Sequence, residues 1–343
     1  MANETNYRRP YILKSLYLGL MFFLLLAIIF VLFYRDNLFL LFYLLATGLI
    51  IAIFFTRAIS KYFAKKQVFG YLNQFNPVEE LGAYKEAMNT AFSPEKKYQH
   101  FVLLIHGFTA SPHEMQHLID DLEKQGIPYF APMLTGFGLT DFHLLDAVRY
   151  QDFFRSILFY YDFLSQISEK VSIIAHSMGA ILATYIAQQR SVDQLILSAP
   201  ALYFYPEDKF IIRLLTAPII SDIILKIVPY MPKTVKKSAK NSSLNSKVAN
   251  TRFQYLSVPT HAIQQMLLAK QQVDITQVKT KNLTIIYGEL DNVVNIKKCL
   301  SIIAEKNMPH TTYCIPDIGH NLFEDTNKHQ ATSTVISCLT NSA

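Results

Sequence analysis

A serine lies between a run of apolar residues and a regular helical pattern, at Ser177 in the stretch VSIIAHSMGAILATYIA. Small residues stand two positions before and after it, as Ala175 and Gly179. A serine on a sharp strand-to-helix turn needs such neighbours, because the flanking backbones pass close to it. The pattern predicts that Ser177 is a nucleophile, and a serine that caps an ordinary helix is the alternative for this motif alone.

A serine hydroxyl attacks a carbonyl efficiently only when a nearby base takes its proton, and that base needs an orienting carboxylate. Later in the chain, Asp291 follows one predicted strand and His320 follows another. Both positions fall where parallel strands are expected to end, so we predict Asp291 as the acid and His320 as the base. Glu289 and Asp317 lie nearby and are alternatives for the acid.

The oxyanion that forms during such an attack needs hydrogen-bond donors aimed at it. The backbone N–H of Met178, directly after the serine, is expected to be one donor. The loop after the apolar segment FVLLIHG offers the N–H of Phe108 as the second, and Gly107 before it frees the backbone to turn. We expect His106, in the same loop, to support the loop and not to act as the base.

From His100 onward the sequence alternates between apolar strand patterns and helical patterns. The strands are mostly continuous apolar runs, which are typical of a parallel sheet covered on both faces. The alternation stops between Leu202 and Lys281, and this stretch is too long for an ordinary connection. We therefore predict a three-layer α/β fold with a mostly parallel sheet, formed by residues 100–201 and 282–343, with residues 202–281 as an inserted helical cap.

Two uncharged segments precede this domain, at Ser15–Tyr34 and Leu38–Thr56. Each would span roughly 30 Å as a helix, which matches the hydrocarbon thickness of a bilayer. We predict a two-helix transmembrane hairpin within residues 1–66, followed by a connector at residues 67–99 with a short helical stretch near Val78–Met88. The alternatives are a cleaved signal peptide or a buried core hairpin, but a secretory apolar segment is shorter and is followed by a cleavage site.

The charge distribution predicts which side of the membrane the α/β domain occupies. Basic residues flank both ends of the hairpin, whereas the turn between the two segments carries only Arg35. Basic residues favour the cytoplasmic side, so the N-terminus and the α/β domain are both expected there. The three cysteines show no metal-like spacing and suit a reducing compartment.

The formal net charge of +6 raises the question of an acidic partner. Much of the excess lies beside the uncharged segments and between Lys226 and Arg252. We attribute it to contact with a negatively charged lipid surface, and we expect no nucleic-acid partner.

From about His100 to Leu339 the chain resembles the α/β-hydrolase superfamily, and within it the branch of monoacylglycerol lipases and carboxylesterases. The resemblance rests on LLIHGFTASPHEMQHLIDDLEKQGIPYFAPMLTGFG, AHSMGA, GELDNVV and IGHNLF, which keep the order and spacing of that branch. It implies the roles given above to Ser177, Asp291, His320, Phe108 and Met178. It also implies that the insertion covers an acyl pocket.

Two features depart from that branch. Its members commonly have Gly-His-Gly-x-Ser after the fourth strand, whereas this sequence has Gly136-Phe137-Gly138-Leu139-Thr140, which predicts a more apolar pocket wall. The hairpin is no part of the family core, so it bears on location and not on the reaction. Within the insertion, the apolar segment FIIRLLTAPIISDIILKIVPYM precedes a lysine-rich segment and either contacts the membrane or, as we prefer, packs over the domain.

These observations together predict a membrane-anchored serine ester hydrolase that forms an acyl-enzyme on Ser177 and needs no metal or organic cofactor. The expected substrates are acyl esters such as monoacylglycerols, lysophospholipids or short- and medium-chain carboxylic esters. An acyltransferase or thioesterase on the same fold is an alternative, because the machinery is shared and only the pocket differs. A non-catalytic membrane receptor or scaffold is a further alternative, although such proteins usually lose one of the three candidate residues.

Overall fold

The computed structural model describes residues 38–205, 208–232 and 252–340. The α-helices are Leu38–Leu72, Gln116–Lys124, Tyr150–Ile167, Met178–Gln189, Lys209–Thr216, Pro218–Ile227, Thr260–Gln271, Ile296–Glu305 and Lys328–Thr340. The strands are β1 (Pro77–Val78), β2 (Ala83–Tyr84), β3 (Tyr98–Ile105), β4 (Tyr129–Phe130), β5 (Ser168–His176), β6 (Val192–Ser198), β7 (Tyr230–Pro232), β8 (Ser257–Pro259), β9 (Thr280–Gly288) and β10 (Thr311–Ile315).

The central sheet contains six strands in the order β10-β9-β6-β5-β3-β4, and every neighbouring pair is parallel. Residues 101–105 of β3 are all fully buried, so both faces of this strand are covered. A strand covered on both faces needs apolar side chains at every position, which explains its continuous apolar run. The prediction of a mostly parallel α/β sheet is therefore confirmed.

The path of the chain across the sheet reverses between β4 and β5. From β3 the chain moves outward to the edge strand β4, and it then returns past β3 to form β5. Right-handed crossovers that run in opposite directions place their helices on opposite faces of the sheet. Helix Gln116–Lys124, which contacts Lys328–Thr340, therefore covers one face, and Tyr150–Ile167, which contacts Met178–Gln189, covers the other.

This reversal also determines where a ligand can bind. The carboxyl ends of β3 and β5 lie side by side at the reversal, and the loops that leave them diverge to opposite faces. Open α/β sheets bind ligands in the crevice that such diverging loops create. Ser177 follows β5 directly, and the loop that contains Phe108 follows β3.

The connector differs from its prediction. The structure has two separate 3₁₀ turns, Glu79–Leu81 and Lys85–Ala87, where one short helical stretch near Val78–Met88 was predicted. Gly82 between them adopts a left-handed conformation with φ of 56°, which turns the chain so that β1 and β2 pair as antiparallel strands. The prediction is wrong because this turn interrupts the helical pattern at its middle.

Only the second predicted transmembrane segment falls within the described residues, since Ser15–Tyr34 lies outside them. The second segment forms the start of helix Leu38–Leu72, which continues beyond the predicted end at Thr56. Basic residues from Arg57 onward end the uncharged run but not the helix, because lysine and arginine are good helix formers. The stretch Phe42–Leu72 is long and apolar enough to cross a membrane, and 6% of its most apolar window is buried.

The second half of this long helix packs against the insertion. Thr56, Ser60 and Ala64 are buried and recur every four residues, so they lie on one face of the helix. The Ser60 hydroxyl donates to the Tyr230 carbonyl oxygen at 2.9 Å and accepts from the Tyr230 N–H at 3.3 Å. Large apolar side chains in the first half, such as Phe42 at 75%, are instead exposed.

The apolar segment of the insertion forms two helices, Lys209–Thr216 and Pro218–Ile227. The break falls at Pro218, because proline has no N–H to donate and is favoured at the first position of a new helix. Both helices expose large apolar side chains. Residues 206–207 and 233–251, which include the lysine-rich segment, lie outside the described residues.

Candidate active site

Ser177 has the backbone conformation of a strained turn. It lies directly between β5 and helix Met178–Gln189, with φ of 52° and ψ of −115°. A serine that caps an ordinary helix has an extended backbone, and its hydroxyl accepts a hydrogen bond from the first turn. Ser177 shows neither feature. Backbone strain of this kind persists only where the surrounding structure holds it, and it is common at functional sites.

The small residues around Ser177 allow two strands and a helix to meet at one point. A Cβ atom on Gly179 would lie 2.3 Å from the carbonyl oxygen of Ile105 and 2.8 Å from that of His106, so only glycine fits there. Ala175 is fully buried and pairs with Ile105 between β5 and β3. Its single methyl group is accommodated at the position where the glycine of the common motif stands.

Ser177, His320 and Asp291 form one hydrogen-bonded row. The Nε2 atom of His320 lies 2.8 Å from the Ser177 hydroxyl, and its Nδ1 atom lies 2.9 Å from Asp291 Oδ2. A carboxylate can only accept hydrogen bonds, so Nδ1 carries the proton and Nε2 is left to accept from the serine. This is the arrangement in which an imidazole acts as a general base toward a serine.

Further hydrogen bonds hold the carboxylate of Asp291 in place. Its Oδ1 atom accepts from the N–H groups of Val293 at 2.8 Å and Val294 at 3.3 Å. Burial alone raises the pKa of Asp291. The charge and hydrogen bond of His320 and these two N–H groups together lower it by a larger amount, so its pKa lies below the usual value. The alternatives Glu289 and Asp317 are exposed. The structure therefore places Asp291, and not either alternative, against His320.

Gly288, at the end of β9, explains how the acid and the base approach each other. A Cβ atom there would lie 2.2 Å from the carbonyl oxygen of Gly319 and 2.4 Å from that of Ile318. The loop that carries His320 therefore passes directly over the end of β9, three residues before Asp291. The sequence analysis did not single out Gly288, although a glycine between a predicted strand and a candidate acid is a visible signal for close backbone approach.

The loop after β3 passes beside Ser177, as an oxyanion loop requires. A Cβ atom on Gly107 would lie 3.2 Å from the Cβ atom of Ser177. Neither the Phe108 N–H nor the Met178 N–H has an acceptor in the part of the chain that the structure describes. Both predicted donors are thus available to an oxygen atom that develops negative charge on the substrate.

His106 holds this loop, and the hydrogen bonds of its ring go to other residues than Ser177. Its Nε2 atom accepts from the Leu134 N–H at 3.1 Å, so its Nδ1 atom carries the proton and donates to the Gly107 carbonyl oxygen at 2.9 Å. Burial lowers the pKa of His106, which keeps the ring neutral. The geometry matches the supporting role expected for this residue.

His176, which the sequence analysis did not select, lies next to His320 in the hydrogen-bonded row. Its ring centroid is 5.2 Å from that of His320, and its Nδ1 atom is 3.2 Å from the Ser198 hydroxyl. Burial lowers the pKa of His176 to about 4, so the ring is neutral at pH 7. A neutral ring at this position adds no positive charge beside the imidazole that must accept a proton.

A buried cluster of three charged side chains was also missed. Arg252 lies between Glu114 and Glu324, and the side chains are 4%, 4% and 9% exposed. The sequence analysis grouped Arg252 with basic residues that face lipid, and the structure shows that this assignment is wrong. The signal in the sequence was weak, because an isolated charge in a partly apolar stretch is usually solvated.

Phe137 packs against the oxyanion loop. Its side chain is fully buried, and its ring centroid lies 5.7 Å from that of Phe108 and 5.8 Å from that of His106. This residue occupies the position at which the family commonly has histidine. Within residues 38–205, 208–232 and 252–340, no cluster of His, Cys, Asp and Glu side chains is arranged to hold a metal ion.

Comparison with known proteins places this site in a family context. Residues 96–327 match the family model described as hydrolase 4, serine aminopeptidase S33. A thermostable monoacylglycerol lipase from Bacillus sp. (strain H-257) is 33% identical over 87 residues, which are 25% of this chain and 34% of the lipase. The chain thus matches about a third of the length of that relative.

Solved structures show the same fold at low sequence identity. A metagenome-derived lipolytic enzyme from the study of LipS and LipT superposes with a TM-score of 0.61 at 19% identity, covering 75% of this chain and 98% of that one. A soluble variant of monoglyceride lipase from Saccharomyces cerevisiae superposes with a TM-score of 0.59 at 16% identity, covering 75% and 91%.

Proposed function

The chain belongs to the serine aminopeptidase S33 family of α/β-hydrolases, and on that premise we propose that it is a serine hydrolase of carboxylic esters that forms an acyl-enzyme on Ser177. The observation that carries the proposal is the row of Ser177, His320 and Asp291, with distances of 2.8 Å and 2.9 Å between neighbours. Three polar groups from three strand ends meet in the order that acyl transfer requires.

The geometry supports a two-step reaction. The Ser177 oxygen attacks the ester carbonyl while its proton moves to Nε2 of His320, and Asp291 stabilises the imidazolium that forms. The tetrahedral intermediate collapses, the alcohol leaves with the proton from His320, and the acyl group stays on Ser177. Water then attacks the acyl-enzyme with His320 again accepting a proton, which releases the carboxylic acid and restores the serine.

The N–H groups of Phe108 and Met178 supply the electrostatic part of this mechanism. They donate to no acceptor among the described residues, and the loop that holds Phe108 lies beside the Ser177 side chain. Donors that are already oriented stabilise the oxyanion without reorganising during the reaction. Such stabilisation is usually the largest single contribution to acyl-transfer catalysis.

We infer a lipid-like ester, such as a monoacylglycerol, as the substrate class. The partial relative and one of the structural neighbours are named as monoacylglycerol lipases. The buried, apolar ring of Phe137 lies against the ring of Phe108, so the oxyanion loop packs on an apolar and not a polar side chain. Lysophospholipids and short- or medium-chain esters share the same reacting group.

A substrate panel tests this assignment. The purified protein in detergent is expected to release fatty acid from a monoacylglycerol and from p-nitrophenyl acyl esters, and Ser177→Ala is expected to release it roughly 10⁶-fold more slowly. An aminoacyl p-nitroanilide tests the peptidase activity that the family description names, and an acyl thioester tests thioesterase activity. Addition of a competing alcohol separates hydrolysis from acyl transfer by the products formed. Inactivity on every acyl ester would favour a non-catalytic role and contradict the proposal.

We also infer that the chain is anchored in a membrane by two helices, with the hydrolase domain on the cytoplasmic side. The support is the exposed apolar surface on the first half of helix Leu38–Leu72, together with the uncharged segment Ser15–Tyr34 in the sequence. Exposed apolar side chains on Phe210 and Ile219 of the insertion extend the surface that lipid would cover. An enzyme placed there would meet its lipid substrate directly.

Cysteine labelling tests this topology. The exposed Cys314 is first replaced by serine, since Cys299 and Cys338 are buried. In intact cells, a membrane-impermeant maleimide is expected to label Asn37→Cys in the turn between the two spans, and to label Thr5→Cys or Lys61→Cys only after lysis. Labelling of Thr5→Cys but not of Lys61→Cys in intact cells would show that the chain crosses the membrane once, and would contradict the two-helix anchor.

A further inference from the structure

We propose that Arg252, in the insertion, is a positioning residue that holds the oxyanion loop in its reactive conformation. This inference rests on the proposed function, because it assigns a role within the same site. The contacts that support it run from Arg252 and its neighbours in the insertion to both sides of Phe108.

Arg252 bridges two buried carboxylates. Its Nη2 atom lies 3.0 Å from Glu114 Oε1, and its Nε atom lies 3.2 Å from Glu324 Oε2. Burial removes water from all three groups, so the positive charge of the guanidinium offsets part of the cost of burying the two carboxylates. The guanidinium donates a hydrogen bond to Glu114 from Nη2 and forms an ion pair with Glu324 at Nε. A planar guanidinium can contact two carboxylates in this way from separate nitrogen atoms, which the single ammonium of lysine does less well.

Glu114 transmits this contact to the oxyanion loop. Its second oxygen, Oε2, accepts the Gly107 N–H at 2.7 Å. Burial alone raises the pKa of Glu114. His176, Arg252 and the Gly107 N–H together lower it by a larger amount, so its pKa lies below the usual value and Glu114 is a carboxylate at neutral pH. Because His176 is neutral at pH 7, Arg252 is the cation that balances this charge.

The same segment of the insertion also holds the other side of Phe108. The Tyr255 N–H donates to the carbonyl oxygen of Thr109 at 2.9 Å. Thr109 has a φ of 66°, a conformation that a β-branched residue keeps only when its surroundings enforce it. The residues before and after Phe108 are therefore both bound, directly or through Glu114, to residues 252–255.

Arg252 contacts the base loop as well. Glu324 lies four residues after His320, and its N–H donates to the Asn321 carbonyl oxygen at 3.1 Å. At its own carbonyl oxygen, Arg252 accepts the hydroxyl of Tyr71 from the last turn of helix Leu38–Leu72. One side chain thus joins the oxyanion loop to the base loop, and its backbone is attached to the helix that we place in the membrane.

The expected consequence is a loss of transition-state stabilisation with little effect on substrate binding. The Phe108 N–H acts on the oxyanion, which exists only after Ser177 has attacked. A small displacement of such a donor lowers kcat strongly, whereas KM depends mainly on the acyl pocket. Failure of folding would instead lower the number of active molecules and leave the turnover of each one unchanged.

The test measures kcat and KM per active site on a p-nitrophenyl acyl ester for Arg252→Lys and Arg252→Gln. Active sites are counted by complete reaction with a fluorophosphonate. We expect kcat to fall about tenfold for Arg252→Lys and about a hundredfold for Arg252→Gln, with KM within twofold of the wild type. Affinity for a trifluoromethyl ketone, whose adduct with Ser177 carries an oxyanion, is expected to fall by the same factors.

A matched control is Arg190→Gln, which removes a guanidinium that pairs with Asp162 on the surface and is expected to leave both constants unchanged. Arg252→Lys keeps the buried positive charge and with it the fold, so the test does not depend on Arg252→Gln being stable. Unchanged kcat per titrated site in Arg252→Lys would overturn the positioning role, even if fewer sites were titrated. An inactive wild type, or an active Ser177→Ala, would instead overturn the proposed function.

Discussion

Replacing Ser177 with alanine is expected to lower kcat on a p-nitrophenyl acyl ester roughly 10⁶-fold, and replacing His320 as well is expected to lower it no further. The two side chains act as one unit, since the hydroxyl is reactive only when Nε2 of His320, 2.8 Å away, takes its proton. Steady-state kinetics of the two single variants and the double variant measure the effect. A residual rate above that in water would come from the oxyanion donors and binding.

Serine and histidine residues elsewhere in the chain provide matched controls. The Ser301 hydroxyl donates to the Lys298 carbonyl oxygen on a surface helix, and His310 is exposed, with its ring bonded to the Met308 carbonyl oxygen. Ser301→Ala and His310→Ala are expected to keep the wild-type rate. If the losses from Ser177→Ala and His320→Ala multiplied in the double variant, the two residues would be acting independently, and the triad mechanism would be excluded.

Asp291→Asn is expected to lower kcat about 10⁴-fold while the fold is retained. The amide oxygen of asparagine can still accept from the Val293 and Val294 N–H groups, so the loop keeps its conformation. The amide nitrogen, however, is a donor that faces Nδ1 of His320, which favours the tautomer with the proton on Nε2. That tautomer cannot accept the Ser177 proton, and the imidazolium also loses its counter-charge.

The neighbouring carboxylates of Glu289 and Asp317 provide controls that distinguish Asp291 from other acidic residues nearby. Glu289→Gln and Asp317→Asn change the same chemical group at exposed positions, the first in the loop of Asp291 and the second in the loop of His320. Both variants are expected to stay within twofold of the wild-type rate. Circular dichroism melting distinguishes lost catalysis from lost folding in each variant. A loss in Glu289→Gln or Asp317→Asn as large as that in Asp291→Asn would show that the acid was assigned incorrectly.

The arrangement of Arg252 gives the insertion a role beyond covering a pocket. A lid that only covers a pocket could open and close over a finished site. Here residues 252–255 hold the oxyanion loop on both sides of Phe108, directly at Thr109 and through Glu114 at Gly107. Under the role that we propose for Arg252, the site is complete only when the insertion is in place. Together with the packing of Ser60 on Tyr230, this places the site, the insertion and the long helix in one continuous set of contacts.

The parallel sheet and the candidate nucleophile and base were predictable from the sequence because their signals are local. A strand with both faces buried is apolar along most of its length, as β3 is from Phe101 to Ile105 and β5 is from Val171 to Ala175 apart from Ser172. Such strands can be recognised without knowing their partners. Ser177 lies at the junction of a strand pattern and a helix pattern, and its small neighbours mark the close approach. The order of Ser177, Asp291 and His320 along the chain then restricts the possible roles.

The remaining features were decided by contacts between residues far apart in the chain. Asp291, Glu289 and Asp317 carry the same group near strand ends, and only the passage of the His320 loop over Gly288 selects one of them. Arginine side chains are usually exposed to solvent. The burial of Arg252 between two carboxylates depends on where the insertion folds back onto the domain.

The boundary of the long helix follows the same rule. The uncharged run ends at Thr56 in the sequence, but the helix continues to Leu72. Lysine and arginine are good helix formers, and the buried face with Ser60 and Ala64 packs within the fold, with Ser60 on Tyr230 of the insertion. Hydropathy indicates whether each residue favours water or lipid. The length of the helix depends also on which parts of the fold it packs against. Local preference therefore identified the chemistry of this chain, and long-range packing decided which side chains surround it.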